Sequence, residues 1–116
     1  MIYGWGRFDW VTFLDMVEPQ VIDLLKKNTQ KKVHFVLWCE MEHRDTRVVE
    51  EIDFHSDNGT ILDATNVKEL YDNAVETLQE QIANFLRNRS GWVFRSVVQL
   101  EIHTTIYKTL TGGRAG

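Results

Sequence analysis

Two residues that often shape small proteins are almost missing from this chain: it has one cysteine and one proline in 116 residues. A single cysteine, Cys39, cannot close an internal disulfide, so nothing argues for an oxidising compartment. Its neighbours alternate in a way that puts it on an apolar strand face, where cysteine behaves as a small hydrophobe. With one proline there is no proline-rich linker. No run of about 18 apolar residues occurs, so no membrane-spanning helix is expected. The opening MIYGWGRFDW lacks a basic stretch followed by an apolar one, so no secretory signal is legible. The expected location is intracellular, cytoplasmic or nuclear, with no membrane partner. Positive charge is also in short supply. Thirteen Lys and Arg stand against seventeen Asp and Glu, a net charge of −4. That argues against a domain that coats nucleic acid by charge alone.

What is present suits one globular unit. Hydrophobic residues make up 43% and charged residues 26%, enough apolar material for a core and too little charge for disorder. A single module over 1–116 is expected, with an N-terminal arm over 1–8 and a frayed tail over 111–116. There is no internal repeat and no low-complexity segment.

From Asp9 to Lys27, Trp10, Phe13, Leu14, Val17, Val21, Leu24 and Leu25 recur at helical spacing. Pro19 interrupts them, which predicts a short helical turn and then a second helix with Pro19 near its first position. Lys32 to Glu42 alternates Val33, Phe35, Leu37, Cys39 and Met41 against His34, Val36, Trp38, Glu40 and Glu42, the pattern of a strand. Arg47 to Ser56 alternates again, with Val48, Ile52 and Phe54 apolar, and completes a hairpin. Asn58-Gly59 reads as a turn, with Thr60 to Leu62 as a short third strand. Asn66 to Asn88 carries a long apolar stripe (Val67, Leu70, Tyr71, Ala74, Leu78, Ile82 and Phe85), and Asn66 with Glu69 resembles a capping box. Ser90 to Lys108 is one long strand. Trp92, Phe94, Val98, Leu100, Ile102 and Ile106 lie on one face, and Arg95, Gln99, Glu101, His103 and Thr105 on the other. At about 3.3 Å per residue its length requires a bend, for which Ser96 is the expected place. The fold class is α+β: an antiparallel sheet, made of a hairpin and one long C-terminal strand, with helices packed on one face.

Several residue groups carry chemistry in principle. Asp53, His55, Glu101 and His103 fall on polar strand faces and would suit a metal if they converged, which would revive a metal-dependent nuclease. A polar outer sheet face accounts for the same pattern. Arg87, Arg89, Trp92, Arg95 and Lys108 form the one basic and aromatic grouping, suited to phosphate contact and base stacking. A helix end and a core tryptophan explain it more simply. Trp38 lies opposite Phe35 and Leu37 and is the best interface anchor of the tryptophans, beside Trp5 and Trp10. Gln99 and Glu101 join it as interface candidates on the last strand. No nucleophile elbow, catalytic residue, cofactor motif, resident metal site or small-molecule substrate site is legible.

Three stretches resemble a known family. FHSDNGTIL (Phe54 to Leu62), LYDNAVE (Leu70 to Glu76) and above all SGWVFRSVVQLEIHTTIYK (Ser90 to Lys108) resemble the N-terminal region of protein-primed family B DNA polymerases of Polinton (Maverick) and related virus-like elements. The resemblance runs from about Lys32 to Leu110. Thr109 stands where that family usually has proline, and TGGRAG replaces its Gly-Ser-Ser continuation. The polymerase and exonuclease motifs of that family do not occur in these residues. The resemblance implies a setting in the DNA replication or integration of a mobile element. The expectation is a non-catalytic assembly module, a homo-oligomer or one bound to a protein partner. The alternative is a nucleic-acid-binding accessory domain using the Arg87–Arg95 segment, with DNA as its partner.

Overall fold

The computed structural model describes residues 2–3 and 10–106. The tail over 111–116, Lys108, Trp5 and most of the arm lie outside the described residues. Strand β1 (Ile2–Tyr3) precedes helix α1 (Trp10–Lys26), strands β2 (Lys31–His43) and β3 (Val49–Thr60), helix α2 (Val67–Asn88) and strand β4 (Trp92–Ile106). The four strands make one sheet in the order β1-β4-β2-β3, and every pairing is antiparallel. Both helices pack on the same face, as the α+β pattern requires. Among the described residues, no helix is long and apolar enough to cross a membrane.

The core lies between that face and the helices. β2 supplies Val33, Phe35, Leu37, Cys39 and Met41, all buried on the helix-facing side, while Val36 and Glu40 are buried on the other side as well. α1 adds Phe13, Val17, Val21 and Leu25, each four residues apart, and α2 adds Val67, Leu70, Tyr71, Ala74 and Leu78. Lys68 ties the helices at the surface. Its ammonium donates to Glu18 of α1 at 2.7 Å and to Asp72 of α2 at 2.9 Å, and these contacts, Glu18 first, raise its pKa.

The structure corrects the local expectations in five places. Pro19 does not split α1; it sits inside one 17-residue helix. Its ring occupies the exposed side, so water can serve the freed Asp15 carbonyl while the buried stripe holds the helix together. Asn58-Gly59 is not a hairpin turn. β3 runs through it to Thr60, and the register slips between Val33 and His34, which pair with Gly59 and Asp57. Gly59 takes a positive φ of 81° there, so the motif's backbone freedom serves a bulge. Ile61 therefore lies beyond the strand, fully buried, with its N–H donating to the Lys31 carbonyl. The capping box is also absent. Asn66 gives no side-chain cap, because its Oδ1 accepts from the Asp63 N–H. Finally, Val48 is half exposed instead of apolar-facing core.

The fifth correction concerns β4. Strict alternation put Val98 in the core, but the buried residue is Val97. The register with β2 slips twice: Met41 pairs with Phe94 and Glu40 with Ser96, then Cys39 pairs with Val97 and Trp38 with Gln99. Arg95 and Val98 are the extra residues, and they flank Ser96, where a bend was expected. Two slips of one residue cancel. Trp92 and Phe94 at one end and Leu100 and Ile102 at the other thus share the core face although the middle has shifted. The side chain of Ile106 lies outside the described residues.

Candidate functional site

The face of the sheet away from the helices carries the polar residues of three strands. Even-numbered positions of β2 bring His34, Val36, Trp38, Glu40 and Glu42 there. Register then sets His103 opposite His34, Glu101 and His55 on either side of Val36, and Gln99 and Asp53 on either side of Trp38. Residues from distant parts of the chain thus meet in a few rows.

At one end lies a histidine row. His55 Nε2 is 2.8 Å from Asp53 Oδ2, and His55 Nδ1 is 3.0 Å from His34 Nε2. The His34 ring centroid is 5.2 Å from that of His55 and 6.3 Å from that of His103. His103 Nε2 is 3.0 Å from Glu101 Oε1, while Glu101 Oε2 accepts from Trp38 Nε1 at 2.8 Å and from Gln99 Nε2 at 2.9 Å. The His55 hydrogen bond, foremost, holds the Asp53 carboxyl below the ordinary range. Glu101 is held low too, mainly by His103, then by Trp38 and Gln99. Asp53, His55, Glu101 and His103 therefore do share one face, but as two separate carboxylate–imidazole pairs with His34 between them. Among the described residues, no three His, Cys, Asp or Glu side chains stand in coordinating position. His34 was missing from the sequence-derived set because it was counted only as an alternating polar position. Its pairing partner His103 is identifiable only from register.

At the other end, Glu40 is buried. It accepts from Ser96 Oγ at 3.1 Å and lies 3.5 Å from Arg95 Nε. Glu42 pairs with Arg47 at 2.7 Å and with Arg95 at 3.5 Å. Arg95 is thus committed to two carboxylates on this face. Arg87 and Arg89 lie elsewhere, at the end of α2. Arg87 donates to Asn84, while the Arg89 guanidinium stacks over Phe85 at 4.8 Å and Trp92 at 5.0 Å and reaches Glu50 at 3.7 Å. Trp92 packs against the core and meets His43 edge-on. The basic grouping is therefore divided between two surfaces. Trp10 also packs against the core. Trp38 is half-buried on the open face, in contact with the interface candidates Gln99 and Glu101.

β3 forms one edge of the sheet. The carboxamide of Gln81 clamps it at one point, accepting from the His55 N–H at 3.0 Å and donating to the His55 carbonyl. The His55 peptide groups therefore face outward, and by the period of two so do those of Asp53 and Glu51. β4 lies between β1 and β2: it pairs with β2 along its whole length, while the two-residue β1 covers its other side only at Leu100 and Glu101. Comparison with protein-family models, curated proteins and solved structures finds no match.

Proposed function

We propose that this chain is a non-catalytic assembly module that self-associates through the β3 edge, working inside the cell in the DNA-replication apparatus of a mobile or virus-like element. The observation that carries the reading is the edge itself. A 12-residue strand has no neighbouring strand on its outer side among the described residues, and beside the Gln81 clamp at His55 the backbone groups of Glu51 and Asp53 face that side. An exposed edge is a template for strand addition. The setting rests on the resemblance. Its three stretches fall in the second half of β3 and the two residues after it, in α2, and in β4.

Glu50, Glu51 and Asp53 make the edge acidic, so two copies pairing there repel at low salt and associate more tightly as salt rises. Light scattering after size-exclusion chromatography, at low and high salt and with or without a short DNA duplex, tests this. The expected outcome is an oligomer that grows with salt and ignores DNA. Glu51→Pro removes an outward N–H that β2 does not use, so the variant folds and its association weakens at least tenfold. An unchanged mass in the folded variant refutes the edge contact. A monomer that shifts with DNA and loses the shift as salt rises transfers the assignment to nucleic-acid binding.

A further inference from the structure

We propose, building on self-association through β3, that the Gln81 carboxamide is a guard on that edge: it takes the place of a neighbouring strand at His55, confines the pairing of two copies to Val49, Glu51 and Asp53, and so centres the contact on Glu51.

An outward-facing residue of an edge strand is satisfied when its N–H donates to an added strand and its C=O accepts from it. Gln81 supplies both halves of that exchange from one side chain. Its Oε1 accepts from the His55 N–H at 3.0 Å, and its Nε2 donates to the His55 carbonyl. Two contacts seat α2 along β3 and bring Gln81 to the edge. The Phe85 ring meets that of Phe54 edge-on at 5.9 Å, and Arg89 lies 3.7 Å from Glu50. A second copy that added its strand at His55 would have to displace the carboxamide.

With His55 occupied, the outward residues toward the start of β3 are Asp53, Glu51 and Val49. Two identical strands pairing about a two-fold axis use the same patch on both sides. The register that engages all three residues sets Glu51 opposite Glu51 of the second copy, and Val49 opposite its Asp53. Release of Gln81 makes His55 available opposite Val49. The centre of the contact then moves to Ile52, and the ladder gains one residue pair. Gln81 thus shortens the usable edge and fixes where two copies meet, a common need of a strand that would otherwise pair without limit.

Amide hydrogen exchange read by NMR, with association constants from sedimentation equilibrium, tests the guard on the full chain and on Gln81→Ala, in which alanine preserves the helix. In the low-salt monomer the His55 N–H should exchange slowly, and those of Glu51 and Asp53 quickly. Added salt should associate the native chain and slow exchange at Glu51 and Asp53. In Gln81→Ala the His55 N–H should exchange quickly in the monomer and slowly in the oligomer. Its association should tighten about tenfold, the worth of one more hydrogen-bonded pair. Combining Gln81→Ala with Glu51→Pro should abolish that gain. Circular dichroism establishes that each variant is folded. Exchange at His55 as fast as at Asp53 in the native monomer, or equal association of the native chain and folded Gln81→Ala, overturns the guard and leaves the edge contact standing. Failure of both chains to associate, or association that leaves the Glu51 and Asp53 amides fast, overturns the edge contact and the guard with it.

Discussion

Gly91 shows how much one residue can be constrained. It holds a positive φ of 87°, and a Cβ added there would stand 2.7 Å from His43 Nε2. The His43 ring is not free to move away, because its Nδ1 accepts from the N–H groups of Asp45 and Thr46. Gly91→Ala is therefore expected to cost about 2–4 kcal/mol, backbone strain and steric overlap together. Gly59 has a similar φ of 81° but open space around its Cβ position, so Gly59→Ala should cost only the backbone part, about 1–2 kcal/mol. Urea denaturation of both variants measures the difference. Cys39 is constrained in another way: burial pushes its thiol up to about 12, leaving it a packing residue instead of a nucleophile.

Among the elements, α1 carries the clearest internal conflict. Pro19 removes a backbone hydrogen bond from the middle of an otherwise regular helix, on its solvent side. Pro19→Ala should restore that bond and raise stability by about 1–3 kcal/mol, read as a higher denaturation midpoint. The same conflict shows where sequence and structure part. Proline is a local signal, and the split it predicts is outweighed by four core contacts on one stripe, which only tertiary packing reveals. The core face of β2 was legible, because alternation writes its period into Val33, Phe35, Leu37, Cys39 and Met41, but the burial of Val36 and Glu40 on the other face depends on neighbouring strands. β3 was legible only to Ser56, since Asn-Gly marks a positive φ without saying whether a turn or a bulge uses it. β4 was right at both ends and wrong in the middle. The histidine row was half legible: Asp53 with His55 and Glu101 with His103 follow from spacing along single strands. His34 between them depends on a register shifted by the bulge at Gly59, which no spacing within one strand encodes.

For the molecule as a whole, the open face sets the response to acid. Asp53 and Glu101 both have folded pKa values below their unfolded ones, held there first by His55 and by His103. Asp63 behaves alike through the Thr65 hydroxyl. A carboxyl lowered by folding stabilises the native state above its unfolded pKa, about 4, and that contribution disappears as pH falls through the folded value. Stability should hold from neutral pH to about 5 and decline below 4. Asp53→Asn combined with Glu101→Gln should flatten that decline, as followed by thermal melts across the acid range. The double register slip in β4 bears on ancestry as well. Val98 and Arg95 are surplus to the ladder, so a lineage can lose either codon and keep every remaining side chain of the strand on its own face. Loss of a neighbouring codon would instead draw the adjacent surplus residue into the ladder in place of the lost one, so the strand absorbs a one-residue deletion around either bulge with a change of one side chain.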